Sequence, residues 1–278
     1  MAPLPWSARS RVCHETHARK SPRGRLGYAW PLRRFAGDAL DADKCAATLA
    51  IAYQDYEPWR AIFGDEHVAD GEWVLRKHVQ LAGARNATAY VVDARRDGQV
   101  LAHAAVGVVQ RQRRSSRFTW AEKAANGFLG APLLGAAAVG RLVGHEAAVD
   151  EIHEADVAAH GVGDHVYLAA LGVHPGARRH GLGSDVVRAV LDDADAAAAP
   201  VFTVCDRSLA RFLRKFGFAP SSTRDVGDGV VLVGMLRHAH VADVLNRWGS
   251  KRHHRPRRPP DPRYRAAPRE ARGEPMVH

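Results

Sequence analysis

The chain has 278 residues, 46% of them hydrophobic, with three Cys and a formal charge of +10. That length suits one core of about 150–250 residues, and the wide spacing of Cys13, Cys45 and Cys205 excludes a disulfide framework or a zinc module and fits a reducing cytoplasm. The charge sits at the ends: residues 1–36 carry eight Lys/Arg and one Glu, residues 246–278 carry ten Lys/Arg and three Asp/Glu, and the middle is about −4.

Taken along the chain, residues 1–36 include "WSARSRVCHETHARKSPRGRLGYAWPLRR", which has no helical or strand period and is expected to be a basic disordered tail. Its Arg-rich, acid-poor makeup imitates a transit peptide, but no amphipathic helix or apolar signal core follows. A folded domain is expected over 37–245. In "LDADKCAATLAIAY", Leu40, Cys45, Leu49 and Ala52 fall near one helical face. "EPWRAIFGDEHVADGEWVLRKHVQLAGAR" reads as a turn and then a second amphipathic helix around Trp73 to Leu81. "ATAYVVDARRDGQVLAHAAVGVV" is a hairpin pattern about the tight-turn pair Asp97-Gly98, and "QRQRRSSR" ends it as a solvated loop.

Residues 119–160 read as helical or irregular. "GFLGAPLLGAAAVGRLV" is the most membrane-like run, but Pro132 and Arg141 interrupt it short of the roughly 18 residues a span needs. It is expected to be a loop entering a helix at Pro132, with no membrane partner. "HEAAVDEIHEAD" has no HExxH spacing and spreads its acids and His around a helix, so it reads as a polar face and no metal is expected. After Gly161 come a strand "HVYLAALGV", a loop, a helix opening at Ser184, a strand "PVFTVC", a helix "SLARFLRKFGF" and a final strand "GVVLVGMLR". The alternation predicts an α/β fold, a mixed sheet with helices on both faces. Residues 246–278 are expected to be a second basic disordered tail. Such tails touch phosphate nonspecifically, but without interleaved aromatics they do not make nucleic acid an expected partner.

The most informative stretch is "LGVHPGARRHGLGSDVVRAVLDDA", Leu171 to Ala194. A strand that meets Pro175 loses a ladder donor, and Gly181 and Gly183 open backbone conformations closed to other residues. The helix that follows has Leu182, Val186, Val190 and Ala194 on its apolar face. Main-chain N–H groups over 179–184 then face outward at the helix's positive end, a geometry that binds phosphate or pyrophosphate, with Arg178 and Arg179 adding mobile positive charge. Neither the Rossmann GxGxxG nor the P-loop spacing is present.

These residues resemble the GNAT superfamily of N-acetyltransferases, in an uncharacterised bacterial branch. The family's Q/R-x-x-G-x-G/A motif stands here as "RRHGLG", Arg178 to Gly183, after the strand "LGVHP", and "FLRKFGF", Phe212 to Phe218, resembles its terminal F-Y-x-x-x-G-F signature. The likeness is strongest over 165–218 and extends over about 40–240. It implies a mainly antiparallel sheet splayed between strands four and five, with acetyl-CoA in the gap and no metal. It places the pyrophosphate on the cradle of Arg178, Arg179, His180, Gly181, Leu182, Gly183 and Ser184. The pantetheine arm would pair with the backbone of Leu171, Gly172 and Val173, and Asp206 stands where relatives often carry an Asn that bonds that arm.

Acetyl transfer to an amine needs a neutral nucleophile, a donor to the developing oxyanion and a route for the leaving thiolate. Main-chain N–H near Val173 suits the second. For the first, His165 and Tyr167 lie at alternate strand positions, read as facing the same side as Leu171 and Val173. His165 at an exposed strand end and Tyr167 in packing is the competing reading. The family's proton-donating Tyr is replaced by Leu213, which groups with Leu209, Phe212 and Phe216 as packing. A thiol with a pKa near 8.5 can still leave as thiolate. Asp206 and Cys205 are read first as an N-cap and a buried packing residue. The expectation is an acyl-CoA-dependent N-acetyltransferase acting on a small-molecule amine by direct attack. The alternative is a catalytically silent acyl-CoA-binding or sensing protein of the same fold.

Overall fold

The structure is a computed structural model that describes residues 30–35, 39–64, 71–77, 79, 88–96, 99–112, 135–227 and 229–240. The elements run β1 (Leu32–Phe35), α1 (Ala39–Tyr53), α2 (Glu57–Phe63), β2 (Thr88–Arg96) and β3 (Gln99–Gln112), then α3 (Ala136–Ala159) and β4 (His165–Val173). After a 3₁₀ turn at Pro175–Ala177 come α4 (Leu182–Ala196), β5 (Val201–Asp206), α5 (Arg207–Leu213), a second 3₁₀ turn, β6 (Ala219–Asp225) and β7 (Val231–Arg237). Residues 1–29 of the tail expected over 1–36, the tail expected over 246–278, the Leu40 side chain, the Asp97-Gly98 turn, Pro132 and Cys13 lie outside the described residues.

The seven strands form one sheet in the order β1-β2-β3-β4-β5-β7-β6. Every neighbouring pair is antiparallel except β4–β5, which is parallel. The face that carries α4 buries Val186, Val187 and Val190 against Leu168, Val201, Leu213 and Met235. On the opposite face Cys45 and Leu49 of α1 meet Val91, Val106 and Val108. There α3 also brings Ala148 and Ile152 onto Phe202 and Leu232. Helices therefore cover both faces, as the alternation predicted.

Three expectations are corrected. Residues 32–35 are a strand, not part of a disordered tail: Leu32 packs on the core and β1 pairs with β2. The arginines that made the segment look like a tail find acids distant in sequence, with Arg33 Nε 2.8 Å from the buried Asp93 and Arg34 2.8 Å from Asp193. The "EPWRAIF" segment is helix α2 rather than a turn, with Glu57 and Pro58 in its first turn, where a carboxylate and a residue lacking N–H are both accommodated. A helical stretch then runs over 71–77. Finally, β6 was missed because "APSSTRD" has no apolar alternation; it is an edge strand whose Ser221 and Ser222 hydroxyls donate to the buried Asp156 of α3. Glu151 and Glu154 of α3 are solvated or half-solvated as the polar-face reading required, but His153 and Asp156 turn inward.

Candidate active site

The site is made by the parting of β4 and β5. Their pairing has two rows, Val166↔Val201 and Tyr167↔Phe202, although β4 continues to Val173 and β5 to Asp206. Beyond the last row the Thr203 hydroxyl reaches across to Leu168 O at 2.8 Å, and then nothing bridges the strands by main-chain bonds. On its other edge β4 keeps pairing with β3 to the end, so it is held while its free edge opens.

That pairing contains one irregularity. Val108 opposes Ala170 and Val109 opposes Leu168, so Ala169 is an extra, unpaired residue on β4. An added residue reverses the side-chain alternation of a strand. Tyr167 accordingly packs with Phe202 and α3, whereas Leu171 and Val173 pack on the α4 side. The expectation that His165 and Tyr167 share a face with Leu171 and Val173 is thus overturned by the bulge.

His165 is neither exposed nor in the cleft. It is 1% exposed, with Nδ1 2.9 Å from Gly163 O and Nε2 2.7 Å from His153 Nε2. A carbonyl can only accept, so Nδ1 carries the proton and His153 donates to the bare Nε2. Burial holds the His165 pKa below its ordinary 6.5. Tyr167 stacks on Phe202, and burial pushes its phenol well up. Neither residue lines the cleft between the strands.

A glycine turn and a helix start follow β4, with differences from the expected loop. The helix opens at Leu182 rather than Ser184, with Gly181 as N-cap at φ 81°. Its first helical bond is Asp185 N–H to Gly181 O, so the N–H groups of Leu182, Gly183 and Ser184 have no intrahelical acceptor. Gly183 is needed for space and not for φ: a Cβ there would stand 3.1 Å from Val173 Cγ2. Arg179 itself takes φ 67°. Arg178 is engaged within the protein. Its guanidinium holds Asp55 at 3.0 Å and Ala52 O at 3.2 Å, tying the end of α1 to the end of β4. His180 turns away from the cleft to Trp30, ring centroids 5.5 Å apart.

One cleft brings together Leu171, Gly172, Val173, Arg178, Arg179, Gly181, Leu182, Gly183, Ser184 and Asp206 of the anticipated set. Asp206 caps α5 by accepting Leu209 N–H at 2.9 Å, as its position suggested. Leu213 is fully buried in the core, while Phe212 and Leu209 face the cleft. Sequence reasoning missed Tyr53 and Tyr56, which form one wall of the cleft. The Leu171 N–H donates to the Tyr53 hydroxyl at 3.3 Å, and the Asp206 N–H donates to the Tyr56 hydroxyl at 3.2 Å. Burial raises both phenols, Tyr53 to about 12. The signal available was the aromatic spacing Tyr53, Tyr56, Trp59 straight after an amphipathic helix.

A splayed parallel pair that opens onto free N–H groups at a helix start defines a class of fold, and the comparisons agree. The model of the Acetyltransferase (GNAT) family matches residues 46–218. The chain belongs to that family and is an N-acetyltransferase. No curated protein sequence matches it. Among solved structures, it is similar to a Drosophila melanogaster polyamine N-acetyltransferase that forms N-acetylagmatine (TM-score 0.50, 15% identity, 74% of this chain and 99% of that one). It is also similar to an agmatine N-acetyltransferase mutant in its apo form (TM-score 0.51, 17% identity, 74% and 99%). A third is arylalkylamine N-acetyltransferase 2 from Aedes aegypti (TM-score 0.51, 13% identity, 74% and 98%). At such identities the likeness is one of fold. Among the described residues no helix is long and apolar enough to cross a membrane.

Proposed function

We propose that the chain transfers an acetyl group from acetyl-CoA to a small-molecule amine by direct attack, in the cytoplasm. The observation that carries this reading is the continuity of the cleft from the open edge of β4 to the unpaired N–H groups at the start of α4. The residues present fit the co-substrate. A diphosphate matches the N–H groups of Leu182, Gly183 and Ser184, with Arg179 beside them and no side chain at Gly181 or Gly183 to block approach. The pantetheine arm matches the free backbone edge at Leu171–Val173 and the apolar flank of Leu209 and Phe212. When bound, the thioester supplies the activated acyl group.

The chain's own residues then orient and exclude water. The Leu171 N–H, on the open edge, is the oxyanion donor in this reading, and the Tyr53 hydroxyl that now accepts from it must yield or share it. Arg178 acts as a fastener between α1 and β4 and not as a phosphate ligand. His165 has both ring nitrogens engaged away from the cleft and is assigned no proton transfer. A cytoplasmic setting accords with Cys205, a buried free thiol.

Two measurements on the full chain test this. Acetyl-CoA at about 100 times its Kd should stabilise the native state by about 2.7 kcal/mol in thermal unfolding. Thiol release with a panel of polyamines and arylalkylamines should then exceed acetyl-CoA hydrolysis. No thermal shift defeats the acyl-CoA reading. A shift without release on any amine replaces it with the silent binding protein.

A further inference from the structure

With Leu213 fully buried in the core, α5 offers no proton at the position where the family carries its proton-donating Tyr. The cleft nevertheless holds two phenols, both from the α1–α2 junction. The Tyr56 N–H donates to Tyr53 O at 2.9 Å, closing a tight turn that puts the two rings 5.0 Å apart, and Trp59 braces Tyr53 edge-on at 5.7 Å. Each hydroxyl oxygen receives one main-chain N–H, from Leu171 on β4 and from Asp206 on β5. A phenol has a single proton, and an oxygen that accepts leaves that proton to be donated elsewhere. The two are not equivalent. Tyr53 occupies the β4 edge, where the arm of an acyl-CoA would lie. Tyr56 is tied instead to Asp206 on β5, so its hydrogen bond does not involve the β4 edge.

We propose that Tyr56 is the proton donor to the departing CoA thiolate, supplying from α2's N-cap what Leu213 cannot; this rests on the acyl-CoA reading above. As the carbon–sulfur bond breaks, sulfur takes the bonding pair and receives the Tyr56 hydroxyl proton, giving the free thiol. The phenolate then takes up the proton that the amine nitrogen sheds on becoming an amide, so atoms and charge balance with no further reactant. The neighbourhood shows why a proton is needed. Burial and the adjacent Asp206 carboxylate push the Cys205 thiol up to about 12, far above the roughly 8.5 of a thiol in water. A thiolate released in the cleft that Asp206 lines meets the charge of the same carboxylate. Burial also pushes Tyr56 well above its ordinary range, so it meets the sulfur as the neutral phenol.

The test reads the bound thiol itself. CoA is bound to the full-length wild type, Tyr56→Phe and Tyr53→Phe proteins, and its thiolate absorption is titrated against pH with desulfo-CoA as blank. A Tyr56 hydroxyl that donates to sulfur stabilises the thiolate. Tyr56→Phe is therefore expected to raise the apparent pKa of the bound thiol by roughly one to two pH units, the size of one hydrogen bond to a charged group. Tyr53→Phe should move it far less. Difluorotyrosine at position 56 preserves the ring and hydroxyl and should move the thiol the other way. With agmatine or phenethylamine as probe amine, Tyr56→Phe should also lower kcat by about 10²–10⁴-fold with the KM for acetyl-CoA held. An unchanged titration in Tyr56→Phe with CoA still bound, or a shift carried by Tyr53→Phe instead, overturns the proposal alone. Failure of CoA to bind the wild type overturns the acyl-CoA reading and this proposal with it.

Discussion

The two halves of β4 are built from similar residues and do opposite things. Before Ala169, β4 is zipped to β5, and Tyr167, Phe202, His153 and His165 close into an aromatic cluster with ring centroids 5.0–6.3 Å apart. After Ala169 the strand is paired with β3 alone, and its open edge faces a cleft walled by tyrosines, one of which accepts the Leu171 N–H. The turning point is one bulged residue and one hydroxyl, Thr203 on Leu168 O. What the contrast teaches is that a strand can be a core element and a binding edge at once, provided a bulge reverses which side chains meet which face.

Mutations that respect this division should separate stability from binding. The largest expected effect is on the closed half. Phe202→Ala removes a fully buried ring and should cost about 3–5 kcal/mol in denaturant unfolding, with acetyl-CoA affinity of the folded protein little changed. On the open half, Gly183→Asp sets a carboxylate against the α4 N–H groups and a Cβ 3.1 Å from Val173 Cγ2. It should weaken acetyl-CoA binding by about 100-fold in calorimetry, since juxtaposed like charges cost several kcal/mol. Unchanged affinity would remove the cradle from the account. The smallest effect is a pH arm confined to the closed half. His165 has its folded pKa lowered by burial, so the unfolded chain binds the proton more readily. Its contribution is complete above 6.5, and stability declines as pH falls from there toward the folded value. His165→Asn should flatten that decline; an equal slope in wild type and variant would show that another group titrates.

Much of this was legible in advance, for a local reason. The apolar face of α4, its glycine cap and the turn after Val173 are properties of consecutive residues. Asp206 as the cap of α5 is local too, reaching three residues along the chain. By contrast, β1 looked like tail because its arginines are neutralised by Asp93 and Asp193, and β6 looked like loop because its serines serve an aspartate on another helix. The facing of His165 was misread because a bulge is written in the pairing of β4 with β3 and leaves no mark in β4's own residues.

By itself, then, the sequence determined a helix whose first N–H groups lie open after a glycine turn, since backbone dihedrals and helix starts answer to immediate neighbours. The tertiary structure decided which groups look into the cleft. Tyr53 meets Leu171 across 118 positions and Tyr56 meets Asp206 across 150. Arg178 is drawn to an acid 123 residues away. Contacts of that separation depend on how strands order and part, and only the folded sheet sets that.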